Sequence, residues 1–232
     1  MNHHNLAVQT FGSGARSAIL AIHGGRGPGS MQQLAARLGV EHEVVLPTHP
    51  GWDGQPRDSA ISSVPDLAQR YLTLLLDANL ADVTVVASSF GGWIAAEMAL
   101  LAQPEVIGRM VLLNPVGPAP TPSEIARQSP TRSTEVPDPY MDLVRSYTGP
   151  MMCSPDLSER LGAVAQPTLI VWGADDPVLP PAYGQRMATD LADATCLVVP
   201  GAGHLPHLEA PEQTLTAIRG FLDGTSMTTV TR

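Results

Sequence analysis

The chain has 232 residues, 44% of them hydrophobic and 15% charged, with a formal net charge of −9. That length can bury a sizeable core, and the balance is too apolar for a disordered chain. The acidic excess argues against a nucleic-acid surface, and no run approaches the roughly 18 apolar residues that span a bilayer.

The N-terminal MNHHNLAVQT lacks a basic stretch followed by an apolar one, so no signal peptide is expected and a cytoplasmic location is the default. His3 and His4 read as part of a flexible terminus. Strands are predicted at 18–22 (AILAI), 44–46, 83–87, 110–113, 168–172 and 195–199. They are apolar almost throughout and do not alternate, as strands buried on both faces of a parallel sheet do. Helices are predicted between and after them at 65–78, 92–103 and 211–222. Strand alternating with helix implies an α/β fold with right-handed crossovers. One stretch breaks the rhythm. From about 117 to 166 the chain is rich in Pro, Ser and Thr, and it reads as an insertion over the carboxyl edge of the sheet, within one domain spanning 1–232. The last residues, GTSMTTVTR, read as a frayed tail. The two cysteines, Cys153 and Cys196, lack CxxC or Cys/His spacing, so no metal site is expected, and Cys196 in ATCLVV reads as a buried thiol.

The stretch VTVVASSFGGW, 83–93, sets two serines and two glycines directly after an apolar strand. A nucleophilic serine displayed there needs a sharp strand-to-helix turn, and the residues two before and two after it must be small. Around Ser88 those positions are Val86 and Phe90, which are too large. Around Ser89 they are Ala87 and Gly91, which fit. The plainer alternative is a helix N-terminus that merely caps or holds an anion, and it predicts no base or acid downstream. Yet GAGHLPHLEAPE presents His204 from a glycine-rich turn after the last strand, with His207 read as structural. PTLIVWGADDPVLP supplies Asp175 and Asp176, again after a strand, and only one of them can face the imidazole.

The order Ser, Asp, His, each in a strand–turn context, resembles the α/β-hydrolase fold family. The resemblance rests on AILAIHGGRGPG, VVLPTHPGWDGQP, VTVVASSFGG, PTLIVWGADDPVLP and GAGHLPHLEAPE; only 117–166 and the termini fall outside it. It implies a mostly parallel central sheet with helices on both faces and a short cap insertion. By the family's acid turn it places the acid at Asp176, three residues after glycine, and by its histidine turn the base at His204. Negative charge developing on an acyl oxygen would meet the N–H of Phe90, the residue after Ser89, at the start of a helix. The second donor, by resemblance, is Gly25. A phosphate loop in HGGRGPGS is excluded: the pattern GxGxxG, started at Gly25, meets Ser30 where glycine or alanine belongs, and no GK[ST] is present. Arg26 there reads as a solvated side chain, or as a contact for an anionic substrate group.

The expected chemistry is hydrolysis of a small-molecule ester through an acyl-enzyme, with no cofactor and no metal. Thioesters, lactones and activated amides are related options. Cleavage of a C–C bond, or a lyase reaction, by the same residues is the first alternative; a non-catalytic small-molecule binder is the second. A dehalogenase with a carboxylate nucleophile is excluded by Ser89. Trp52, Met141, Val144, Tyr147 and Met151, together with Leu143 and Met152, are expected to line an apolar pocket, or else, for those within 117–166, to form the seam that packs the insertion down. Trp93 is expected in the core. No nucleic-acid or membrane partner is expected, and the pattern is silent on oligomeric state.

Overall fold

The computed structural model describes residues 6–13, 16–127 and 140–224. His3, His4, the residues after Gly224 and the 128–139 part of the expected insertion lie outside the described residues. In chain order the elements are β1 (Val8–Phe11), β2 (Arg16–Ile22), α1 (Gln32–Leu38), β3 (His42–Pro47), α2 (Val64–Asp77), β4 (Val83–Ser88), α3 (Phe90–Leu101) and β5 (Ile107–Leu113). Then follow α4 (Pro122–Ala126), α5 (Met141–Thr148), α6 (Leu157–Arg160), β6 (Thr168–Gly173), α7 (Pro181–Asp190), β7 (Ala194–Val199), α8 (Pro206–Glu209) and α9 (Pro211–Leu222). The strands form one seven-stranded sheet in the order β1-β3-β2-β4-β5-β6-β7. Every pairing is parallel except that of β1 with β3.

Both faces of the sheet are covered, which is why its strands read as unbroken apolar runs. Successive side chains of a strand point to opposite faces. Along β2, Leu20 and Ile22 join a core with Leu67 and Tyr71 of α2, Ile94 and Met98 of α3 and Tyr183 of α7. Ile19 and Ala21, one step out of phase, join a second core with Leu34 and Leu38 of α1 and Leu215 and Ile218 of α9. All six residues of β4 and of β6 are buried.

The six predicted strands and three predicted helices are all present. β1, α1 and the helices α4 to α8 have no counterpart among the predicted ranges. β1 is an edge strand of four residues whose side chains alternate in exposure, so it carries no apolar run. The stretch expected as an insertion, 117–166, lies between β5 and β6. It is fastened near its base, where Ser154 N–H donates to Gly117 O at 2.7 Å and Ala119 N–H donates to Ser154 O at 3.0 Å.

The chain leaves β3 on one side of β2 and re-enters the sheet as β4 on the other. The carboxyl ends of β2 and β4 therefore flank a topological switch point, where parallel α/β sheets form their ligand crevices. The two strand ends approach very closely there. A Cβ on Gly91 would lie 2.6 Å from the carbonyl oxygens of both Ile22 and His23. We expect Gly91→Ala to lose about 2–3 kcal/mol of stability, roughly 5–10 °C in melting temperature. A variant that melts with the native chain would show that the strand end can retreat.

Candidate functional site

Ser89 sits between β4 and α3 with φ 52° and ψ −118°, a left-handed conformation that a serine adopts only when its surroundings enforce it. They do so here. Ser89 N–H donates to Leu113 O at 2.9 Å, and Ser89 O accepts from Gly92 N–H at 2.8 Å. A Cβ on Gly24 would lie 2.9 Å from the Ser89 Cβ, so the β2 turn also needs glycine at that point. The result is a hydroxyl raised above the end of the central strand.

Three residues far apart in the chain meet there. Ser89 Oγ lies 2.8 Å from His204 Nε2, and His204 Nδ1 lies 3.1 and 3.0 Å from the two carboxylate oxygens of Asp176. A carboxylate only accepts, so His204 Nδ1 carries the hydrogen and Nε2 offers its lone pair to the Ser89 hydroxyl. The Asp176 carboxylate is fully buried. It also accepts from Val178 N–H at 2.7 Å and from Asn114 Nδ2 at 2.5 Å. Asn114 follows β5 at φ 42°, and its Oδ1 accepts from Gly173 N–H at 3.0 Å. It thus ties the ends of β5 and β6 together and aims the carboxylate. Asp175 does not join these residues; it lies in the lining of the cavity over Ser89. It is exposed, and its carboxylate makes no hydrogen bond with a described residue.

The His204 loop is clamped by one side chain. Glu209 accepts from Gly203 N–H at 2.7 Å and from Leu205 N–H at 3.0 Å, bracketing the imidazole. Sequence reasoning assigned no role to Asn114 or Glu209. The available signals were an asparagine directly after the apolar run MVLL and an acid five residues after His204.

A cavity of about 690 Å³ opens over Ser89 and His204. Gly25 and Phe90 line it beside Ser89, and neither N–H has a partner among the described residues. Phe90 opens α3, where an N–H has no intrahelical acceptor. One wall is apolar: Val116, Met141, Val144, Met152, Val178 and Leu205. Arg26 lines it too, exposed and without an ion pair to a described residue.

The expected pocket set divides. Met141 and Val144 line the cavity, whereas Trp52, Tyr147 and Met151 do not. Trp52 is wholly buried, because its indole N–H finds an interior acceptor, Gly25 O, at 2.9 Å. Tyr147 turns inward for the same reason and donates to Pro50 O at 2.9 Å. Met151 points to solvent and is 78% exposed, leaving its neighbour Met152 to face the cavity. Among the described residues no group of three His, Cys, Asp or Glu side chains could hold a metal ion. No described helix is long and apolar enough to cross a membrane.

Three buried imidazoles surround this region. Burial pushes His23 and His207 down from 6.5 to about 4, and His49 well below its ordinary value. In the unfolded chain each ring returns to its ordinary value. Between about pH 4 and 6.5 the unfolded state therefore binds more protons, and stability falls as pH falls through that window. His23 and His207 would each contribute a loss of roughly 3 kcal/mol by its lower end. Melting temperature is expected to drop steadily from pH 7 to 4.5. A flat profile would mean that these rings are not held neutral.

A family model described as "Alpha/beta hydrolase family" matches residues 19–217. A 2-hydroxy-6-oxononadienedioate/2-hydroxy-6-oxononatrienedioate hydrolase of Paraburkholderia phymatum is 26% identical, over 94% of this chain and 91% of the relative. A pimeloyl-[acyl-carrier protein] methyl ester esterase of Nitrosomonas europaea is 24% identical, over 90% and 96%. Among solved structures, a thermophilic esterase from Thermogutta terrifontis superimposes with a TM-score of 0.76 at 21% identity, covering 96% of this chain and 94% of that one.

Proposed function

Because the chain belongs to the alpha/beta hydrolase family, we propose that it is a serine hydrolase that cleaves a carboxylic ester of a small molecule through a covalent acyl-enzyme. The observation that carries this reading is the unbroken hydrogen-bonded line from Ser89 through His204 to Asp176, opening into the cavity. In the proposed reaction Ser89 Oγ attacks the acyl carbon as His204 Nε2 takes its proton. Asp176 holds the imidazole in the required tautomer and stabilises its charged form. The N–H groups of Gly25 and Phe90 receive the oxyanion. The imidazolium then gives its proton to the departing alcohol. Water, activated by His204, releases the acid and restores Ser89. The largely apolar wall suits an uncharged acyl or alcohol group of modest size. The similarity to a methyl ester esterase favours the same bond type.

A second reading uses the same residues to hydrolyse a carbon–carbon bond beside a ketone. It is favoured by the similarity to a hydrolase whose named substrate carries a keto group and no ester.

Purified protein would be assayed on short-chain p-nitrophenyl esters and treated with a fluorophosphonate, the modified residue being located by mass spectrometry. Turnover with labelling at Ser89 supports the ester reading. Labelling without turnover favours the second. Neither, in folded protein, would overturn both and leave a binding role.

A further inference from the structure

We propose that Trp52, His49 and His23 are positioning residues: a set of buried ring N–H donors that fixes the Gly24–Gly25 turn so that the Gly25 N–H faces the cavity. The proposal rests on the reading of Ser89 as an acyl-transfer nucleophile, and it assigns to Trp52 a task other than lining the pocket.

Three successive carbonyls of the turn each accept from a different ring. His49 Nε2 lies 2.9 Å from His23 O, His23 Nδ1 lies 2.7 Å from Gly24 O, and Trp52 Nε1 donates to Gly25 O at 2.9 Å. Carbonyl oxygens only accept, so both ring nitrogens must carry hydrogen. The remaining nitrogens agree with that assignment. His23 Nε2 accepts from the backbone N–H of His49 at 3.1 Å, and His49 Nδ1 faces the Tyr71 hydroxyl at 2.5 Å, which donates to it. Each ring is thereby held as one neutral tautomer, packed against the other with centroids 3.6 Å apart and planes tilted by 36°.

The consequence for the turn is geometric. Within a trans peptide the C=O and the following N–H point in opposite directions. With Gly24 O drawn inward by His23, and also by Gly27 N–H at 3.2 Å, the N–H of Gly25 is turned outward. It is then a donor fixed before substrate arrives, and such a donor acts without reorganisation as the oxyanion forms. Trp52 is itself held in place, stacked against Phe90, Tyr140 and Tyr147 at centroid distances of 6.2, 5.9 and 6.0 Å.

The test removes one indole N–H together with part of the ring, and a second tryptophan controls for the lost volume. Trp52→Phe is compared with Trp172→Phe, since Trp172 is equally buried but its indole nitrogen has no partner among the described residues. Both variants would be measured for kcat and KM on a p-nitrophenyl ester, for the rate of Ser89 labelling by a fluorophosphonate, and for melting temperature. An interaction that matters in the transition state lowers kcat and leaves KM unchanged. The expected result is about a 10–100-fold loss in kcat and in labelling rate for Trp52→Phe, with KM within about twofold of the native value and Trp172→Phe near native in both. Native kcat in Trp52→Phe would overturn the proposal. So would an equal loss in Trp172→Phe, which would mark the effect as one of packing. If the native protein neither turns over ester nor labels, the nucleophile reading falls, and nuclear magnetic resonance decides the positioning separately. The amide signals of Gly24, Gly25 and Arg26 then shift or broaden in Trp52→Phe and not in Trp172→Phe if the donors fix the turn. They stay in place in both variants if the donors do not.

Discussion

Replacing Ser89 with alanine is expected to lower kcat for ester hydrolysis by about 10⁶-fold and to abolish fluorophosphonate labelling, while the protein stays folded. Alanine keeps the Cβ that the turn accommodates and removes only the oxygen 2.8 Å from His204 Nε2. Among the described residues no neighbouring hydroxyl can take over. Ser88 is fully buried and is not among the residues lining the cavity, and Ser30, which does line it, has its hydroxyl committed to Gly27 O at 2.7 Å. The left-handed backbone at this position is strain kept for display of the side chain. Alanine bears the same backbone strain, so the melting temperature should stay within a few degrees of the native value. Turnover within tenfold of the native protein, with correct folding, would remove Ser89 from the chemistry.

The second large effect is expected at the acid. Asp176→Asn should cost about 10⁴-fold in kcat, and Asp175→Asn no more than about threefold. The carboxylate of Asp176 accepts from three donors at once: His204 Nδ1, Val178 N–H and Asn114 Nδ2. An amide has one acceptor oxygen, so its NH₂ group must face at least one of those donors. Opposing donors there disfavour the tautomer that leaves His204 Nε2 free to take a proton. A companion substitution tests the support behind the acid. Asn114→Asp would set a second carboxylate 2.5 Å from the first, where both cannot stay ionised, and is expected to lose on the order of 10²-fold at neutral pH. If Asp175→Asn were the damaging change and Asp176→Asn were not, the assignment of the acid would move by one residue.

Much of the fold could be read from the chain because burial on both faces makes the central strands uniformly apolar. The strand preceding Ser89 reads VTVVA, and the turn after it admits only small residues. β1 escaped because a four-residue edge strand with half its side chains exposed carries no such run. At the candidate site, chain order and glycine spacing brought out Ser89 and His204. Asp175 and Asp176 are chemically identical neighbours, and what separates them is that one carboxylate is buried and the other is not. Asn114 acts across 62 residues of sequence, on a partner that no local pattern specifies. The pocket was the least legible part. Trp52 and Tyr147 have the size and polarity of lining residues, but their N–H and O–H groups found backbone carbonyls in the interior. Met151 and Met152 cannot both face inward, and nothing in their side chains decides between them.

The stacking of Tyr140 and Tyr147 on Trp52 limits how freely the chain can exchange parts with its relatives. The segment between β5 and β6 invites exchange as a unit. Here the segment that would be swapped out supplies two of the rings that hold Trp52, and Trp52 in turn grips Gly25 O. A transplanted segment lacking matching aromatic partners would alter the rate of bond cleavage along with the choice of substrate. Recombination at this point is therefore expected to succeed most often when the 49–57 loop travels with the insertion as one unit.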